Sequence, residues 1–323
     1  MKLEFSFGNF GYKKQHVPAM RIYLYLLLAL LLTGLLFPDK IRAQELEPRS
    51  LTNVPVGMNF VMAGYTWTQG NILLDPALSI EDLNATVHGI VAVYARSINV
   101  FGKSGKIDAV LPYAFGNWSG VQNQEQKYTS RHGLGDPRIR FSVNLYGSPA
   151  LNMEEYKSYR QRTIVGFNMQ VYLPVGQYFP DRLINLGSNR FTFKPQLGIS
   201  HRFDKWYLEA YTNIWLFTIN KEFYGGGEMK QKPVITGKVH VIRSLSKGMW
   251  IAANAGYADG GTASVNGVER ESHISTFRVG GTFAIPIGLH HSLKLFGFTT
   301  SRQDKGSDYE LLSLAYQFRW GGK

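Results

Sequence analysis

Residues 311–320 of this 323-residue chain read LLSLAYQFRW, and from Leu312 onward apolar and polar side chains alternate. Successive side chains of a β-strand point to opposite faces, so this period of two predicts a strand. Its apolar face consists of Leu312, Leu314, Tyr316, Phe318 and Trp320. Aromatic side chains at the end of such a face are typical of membrane-spanning strands, because the rings are favoured at the membrane–water interface. The stretch therefore predicts a strand that crosses a membrane.

The same alternation recurs along the chain, between clusters of Gly, Asn, Asp, Ser and Pro that favour turns. In one segment Ile139 and Phe141 alternate with Arg138 and Arg140. We predict about twelve antiparallel strands, an even number of the kind found in bacterial outer-membrane barrels. They cover residues 57–69, 83–99, 106–116, 136–147, 163–175, 190–203, 206–219, 233–244, 249–258, 272–286, 291–300 and 309–320.

The lengths of the predicted connections separate a membrane barrel from a soluble β-sandwich. Long connections such as residues 117–135 alternate with short ones such as residues 204–205 and 287–290. Outer-membrane barrels combine long extracellular loops with short periplasmic turns. Residues 148–162 are too long for a turn, and their composition predicts a small periplasmic helix or a flexible excursion. Because an open sheet edge in lipid would leave backbone groups unpaired, we predict a closed, up-and-down β-barrel.

The N-terminal region predicts export from the cytoplasm. Residues 22–38, IYLYLLLALLLTGLLFP, form one apolar run. It follows the basic residues Lys13, Lys14 and Arg21. The run is shorter than the roughly 20 residues that a transmembrane helix needs, and the small residue Ala43 comes soon after it. This pattern favours a cleaved signal peptide over a membrane anchor.

These features together predict the organisation of the chain. Residues 1–43 form the signal peptide, and Met20 is an alternative start that leaves the mature protein unchanged. Residues 44–56 form an N-terminal segment in the periplasm, residues 57–320 form the barrel, and residues 321–323 form a C-terminal extension. The predicted location is the outer membrane of a Gram-negative bacterium.

The composition excludes several classes of protein. The chain contains 35 Lys and Arg residues against 23 Asp and Glu, for a net charge of +12, and it has no cysteine. Without cysteine it cannot be a disulfide scaffold. The basic residues are scattered singly instead of forming a stripe, so we do not expect a nucleic acid partner.

Five stretches resemble the outer-membrane family that is named for the meta pathway of phenol degradation. They are residues 51–65 (LTNVPVGMNFVMAGY), 133–148 (GLGDPRIRFSVNLYGS), 171–178 (VYLPVGQY), 205–211 (KWYLEAY) and 316–322 (YQFRWGG). The resemblance covers nearly the whole mature chain. It implies an outer-membrane barrel with a role as a transporter of aromatic or other hydrophobic compounds.

The polar faces of the predicted strands supply the candidate binding residues, because the interior of a barrel determines its selectivity. The interior candidates are Arg138, Arg140, Asn168, Gln170, Lys194, Glu209, Lys238, His240 and Arg278. The polar faces also hold the basic residues Arg96, Arg202, Lys294 and Arg319, and among acidic residues only Asp108 and Glu209. Such an interior favours anions, or else each basic residue pairs with an acid or water and only fills the barrel.

The leading hypothesis is a channel for small, aromatic or anionic compounds of unknown identity. The expected partners are outer-membrane lipid, that solute, and the barrel insertion machinery, which would contact Phe318 and Trp320. One alternative is a lipid-acting barrel enzyme that uses His240, His273 with Ser275, or His290 with His291. No catalytic motif surrounds these residues, so we expect no enzyme activity, metal or cofactor. A structural or binding barrel that transports nothing is the other alternative.

Overall fold

The computed structural model describes residues 47–72, 75, 77–78, 80–300 and 308–322. The predicted signal peptide lies outside these residues. In the described part the chain forms seventeen strands and one α-helix, α1 (Met153–Ser158). The strands are β1 Met58–Gly70, β2 Glu81–Val100, β3 Lys103–Gln122, β4 Glu125–Leu134, β5 Arg138–Tyr146, β6 Thr163–Tyr172, β7 Thr192–Phe203, β8 Trp206–Phe217, β9 Asn220–Phe223, β10 Gly227–Gln231, β11 Val234–Ser244, β12 Trp250–Gly260, β13 Ala263–Val265, β14 Val268–Glu269, β15 Ile274–Ile287, β16 His291–Thr300 and β17 Tyr309–Gly321.

Twelve of these strands form a closed antiparallel barrel, in the order β1, β2, β3, β5, β6, β7, β8, β11, β12, β15, β16 and β17. The barrel closes because β1 and β17 pair along their whole length, from Met58 opposite Gly321 to Gly70 opposite Tyr309. The first and last strands therefore leave no open sheet edge between them, as lipid requires. The predicted fold class is confirmed.

The two ends of the barrel differ. We call the end that carries Met58 and Gly321 the terminal end, and the end that carries Gly70 and Tyr309 the loop end. At the terminal end the connections are short, except that α1 lies between β5 and β6. Asn152 and Glu155 cap this helix reciprocally, which explains why it begins there. The short helix confirms one of the two expectations for residues 148–162.

The alternation of side chains is the one expected of a membrane barrel. Val61, Ile90 and Leu111 point outward with about half of each side chain exposed, at 44%, 51% and 47%. The side chains that alternate with them along each strand point inward. Ser313 and Thr282 are inward-facing residues of two other strands, and each is 3% exposed. The outer surface is therefore apolar and the inner one largely polar, as a barrel in lipid requires.

One basic residue was assigned to the wrong face. Arg96 is exposed and lies opposite Asn59 of β1 and Ile107 of β3. Ile107 is 43% exposed on the outer surface, so Arg96 faces outward with it. Apolar and polar residues do not alternate cleanly around Arg96, because small and apolar side chains occupy both faces of this part of β2.

The structure has more strands than the sequence predicted, and all of the extra ones lie at the loop end. β4 continues β3 as a hairpin whose two-residue turn is Asn123 and Gln124, both with positive φ. The short strands β9, β10, β13 and β14 form a separate small sheet. Neither feature shows the alternation that revealed the barrel strands, because β4 is mostly polar and the strands of the small sheet are two to five residues long. Among the described residues no helix has the length and apolar character needed to span a membrane.

Candidate binding site in the barrel interior

The N-terminal residues 47–56, which we call the inner segment, run inside the barrel. Glu209 of β8 accepts a hydrogen bond from the backbone N–H of Arg49 at 2.8 Å. The ammonium group of Lys106 on β3 donates to the carbonyl oxygens of Ser50 and Thr52, at 2.8 and 3.2 Å. These hydrogen bonds come from strands on different sides of the barrel. The inner segment therefore crosses the interior instead of lying along one wall.

Two of the predicted arginines form a cluster with acidic residues. Arg140 Nε lies 2.7 Å from Asp108 Oδ2, and Arg140 Nη1 lies 2.8 Å from Glu47 Oε2. Arg138 Nη2 lies 3.7 Å from Asp108 Oδ1. Arg138 also donates to the side-chain oxygen of Gln170 at 3.0 Å. Since Glu47 belongs to the inner segment, this cluster ties that segment to β5.

Six of the other candidates, those on β6 to β11, lie in a polar region on the side of the barrel formed by β6 to β12. Gln170 donates to Asn168 at 3.1 Å. Glu209 accepts hydrogen bonds from Ser200 at 2.9 Å and from Tyr211 at 2.8 Å. His240 Nδ1 lies 2.8 Å from Asn254 Oδ1. This side of the interior is filled with a hydrogen-bonded polar network.

All nine predicted interior residues point into the barrel. Eight are buried with at most 8% of the residue exposed, and the side chain of Arg140 is 15% exposed. Lys194 lies in the polar side with its ammonium group 4.1 Å from the centre of the Trp215 ring. Arg202 and Arg319 lie near the terminal end, where they donate to the backbone carbonyls of Asp204 and Leu289, both at 2.8 Å. The role of these residues in a solute path stays a prediction.

A cavity of about 450 Å³ occupies the other side of the interior. Its walls come from β15, β16, β17, β1, β2, β3 and β5 and from Tyr172 at the end of β6, and residues Glu47 and Pro48 of the inner segment also line it. Most of the wall is apolar and consists of Met62, Val91, Val93, Val110, Pro112, Phe296, Phe298 and Leu311. A pocket with an apolar wall and few polar groups is typical of small-molecule binding sites.

Four basic side chains line the same cavity: Arg138, Arg140, Arg278 and Lys294. Arg138 on β5 and Arg278 on β15 lie six strands apart in either direction around the barrel, so they face each other from opposite walls. Of the nine predicted residues, only Arg138, Arg140 and Arg278 line the cavity. The other six belong to the polar side.

Sequence reasoning missed the apolar wall. The polar faces were taken as the interior, but in β1 and β2 both faces are apolar, with Val61 beside Met62 and Ile90 beside Val91. Such strands show no alternation from which to choose a face. One signal could have identified the apolar wall. A strand that is apolar on both faces, in a barrel whose other strands alternate, indicates that the interior is apolar next to that strand.

The histidine and serine candidates for an enzyme lie in three separate regions. His240 is buried in the interior. His273 and Ser275 lie at the loop end, where His273 Nε2 is 3.3 Å from Asp259 Oδ1. His290 and His291 lie at the terminal end, where His291 contacts the Tyr316 hydroxyl at 2.6 Å. Among the described residues no group of three or more His, Cys, Asp and Glu could hold a metal ion.

A comparison with protein families shows which family the chain belongs to. The family model described as "Putative MetA-pathway of phenol degradation" matches residues 79–316. The chain belongs to this family. The match covers most of the chain and confirms the resemblance that the sequence stretches indicated. No curated protein matches the chain in sequence.

Solved structures agree with the barrel fold. The COG4313 outer membrane channel from Pseudomonas putida F1 is similar with a TM-score of 0.72 and 17% identity, over 85% of this chain and 100% of that chain. The transport unit of the autotransporter AIDA-I from Escherichia coli has a TM-score of 0.48 and 8% identity, over 90% and 96% of the two chains. The CymD monoaromatic hydrocarbon channel has a TM-score of 0.38 and 9% identity, over 82% and 88%. The similarity to the COG4313 channel, at 17% identity, shows the fold alone. The other two structures are too distant to support any conclusion about this chain.

Proposed function

We propose that this protein is an outer-membrane channel that passes small amphipathic compounds, aromatic ones above all, through the side of the barrel that holds the cavity. One observation carries the proposal: the 450 Å³ cavity has an apolar wall and is bordered by basic side chains. An apolar ring would pack against Met62, Val91 and Val93, while its polar substituent would face the basic residues. The family membership supports a barrel of this kind.

The proposed path is narrow at the inner segment. Glu47 and Pro48 line the cavity, and the hydrogen bonds of Ser50 and Thr52 to Lys106 hold the segment across the interior. A solute that enters from the loop end therefore reaches the cavity before it meets this constriction. The arrangement favours selective passage of compounds that fit the cavity over the open flow of a wide pore.

Gly64 offers a direct test, because it lines the cavity and a β-carbon added there would make only ordinary contacts, the nearest at 3.7 Å. We expect Gly64→Phe to fill the cavity and slow solute entry several-fold. The matched control is Gly237→Phe on β11, since Gly237 alternates with the interior residue Lys238 and has nothing within 4 Å of an added β-carbon. It adds the same side chain to the outer surface.

The measurement uses liposomes that hold the reconstituted protein and a trapped β-glucosidase. External 4-nitrophenyl glucoside is a neutral aromatic solute, and its hydrolysis reports entry. Wild type and Gly237→Phe should hydrolyse it well above the protein-free background, and Gly64→Phe should fall towards that background. If wild-type liposomes matched protein-free ones, the proposed function would be wrong.

Two further features belong to the proposal. The outward apolar surface and the family suggest that the barrel lies in the outer membrane of a Gram-negative bacterium. The terminal strand would be the contact for the insertion machinery, through Phe318 and Trp320, whose rings stack with centroids 5.5 Å apart. The enzyme alternative is not favoured, because no catalytic motif surrounds any of its candidates.

A further inference from the structure

Arg278 is a fully buried cation on the wall of the cavity. It lies on β15 towards the loop end and is 2% exposed. The centre of its guanidinium group lies 4.5 Å from the Phe298 ring centre and 4.0 Å from the Tyr309 ring centre. Aromatic rings favour such contacts with a cation. The two rings hold the guanidinium group in position but accept no hydrogen bond along its edge.

One edge of this guanidinium group has no partner. Nε and Nη2, which are neighbouring donors on the same edge, make no hydrogen bond with any described residue. Arginine stays charged in proteins. A buried charge without hydrogen bonds or a counter-ion is costly. Such an edge is therefore suited to an anion that brings its own acceptors.

The comparison with the other arginines of the cavity shows what is unusual about Arg278. Arg140 is paired with both Asp108 and Glu47. Arg138 has Asp108 and Gln170 nearby. Arg278 forms no ion pair within the described part of the chain. Among the three arginines of the cavity, Arg278 is thus the one whose charge no described acidic residue compensates.

We propose that Arg278 binds the carboxylate of an aromatic or other apolar monocarboxylic acid, an inference that rests on the proposed channel function and names its solute class. Two parallel N–H groups match the two oxygens of a carboxylate. The neighbouring lining residues Phe296, Phe298 and Leu311 supply an apolar surface for the rest of the molecule. A single arginine edge in apolar surroundings suits a monoanion better than a phosphate dianion, which needs more donors.

Binding to the intact, detergent-solubilised protein tests this independently of transport. Fluorine NMR line broadening would measure the affinity for 4-fluorobenzoate and for its neutral analogue 4-fluorobenzamide. We expect the benzoate to bind and the benzamide to bind at least about tenfold more weakly, because the amide cannot accept both hydrogen bonds as an anion does. Arg278→Gln should reduce benzoate binding to the level of the benzamide.

Two variants keep the test decisive. Arg278→Lys keeps the charge but loses the two-pronged edge, so we expect intermediate affinity. Arg243→Gln removes a charge from a residue whose guanidinium lies against Trp206 at the outer surface, and it should bind benzoate as wild type does. Equal binding of benzoate and benzamide, or full benzoate binding by Arg278→Gln, would overturn the inference. Entry of the neutral glucoside into liposomes would still support the channel in that case.

Discussion

The side chain of Leu51 occupies the space that a β-carbon on Gly166 would need. Its Cδ2 atom would overlap that carbon, and its Cδ1 atom lies 3.3 Å from the place of a β-carbon on Gly198. Leu51 is 3% exposed and packs with Ile164 and Tyr211. The inward-facing Gly166 on β6 thus makes room for the inner segment, whereas Gly198 on β7 makes room chiefly for the Tyr211 ring. The barrel wall and the segment that crosses it fit each other.

This fit predicts that a single methyl group at residue 166 loosens the inner segment. Gly166→Ala should displace Leu51, since the added β-carbon and the Leu51 methyl cannot both keep their places. The hydrogen bond from Asn144 to the Leu51 carbonyl, 3.0 Å long, would be weakened as well. We expect larger and noisier single-channel conductance in planar bilayers. Gly237→Ala is the matched control, and an unchanged trace for Gly166→Ala would show that the segment tolerates the change.

Removal of the inner segment should open the barrel. A chain that begins at residue 57 would keep all twelve barrel strands, because β1 begins at Met58. It would lose the contacts of Glu47, Arg49 and Leu51 with the wall. When both are refolded in detergent and inserted into planar bilayers, we expect a conductance several-fold above that of a chain that begins at residue 44. Equal conductance of the two chains would mean that the segment does not limit the path.

We expect the buried carboxylate of Asp108 to contribute strongly to the stability of the barrel. Its side chain is 3% exposed and lies between Arg140 and Arg138. Asp108→Asn would leave two largely buried guanidinium groups with less negative charge beside them. Breaking a buried ion pair from one side costs about 3–5 kcal/mol. We expect a loss of that order in the free energy of unfolding, measured by urea titration in detergent micelles.

Two comparisons isolate the cause of that loss. The double variant Asp108→Asn, Arg140→Gln should recover part of the stability, because it removes one of the uncompensated charges. Glu125→Gln breaks an exposed pair with Lys127 and should change stability little. A loss in Glu125→Gln as large as that in Asp108→Asn would point to a general effect of charge instead of burial.

The barrel strands were predictable because their evidence is local. β16 was predicted with its observed bounds, and ten others were placed within three residues of theirs, whereas β3 extends six residues beyond its predicted end. In β5 and β6 the same alternation also predicted correctly that Arg138, Asn168 and Gln170 point into the barrel. A strand in lipid needs an apolar outer face regardless of its neighbours, so its sequence alone reveals it.

The sequence by itself therefore determined the membrane-barrel class, the number of barrel strands and most of the interior face. Only the tertiary structure decided that Glu47 meets Arg140, that Leu51 fits over Gly166, and that Arg278 and Arg138 face one cavity from opposite walls. These relationships join residues far apart in the chain, and they exist only once the strands have closed. Side-chain alternation has a period of two, so it indicates which face of a strand a residue lies on. It does not indicate which strands lie opposite each other or which segment enters the barrel.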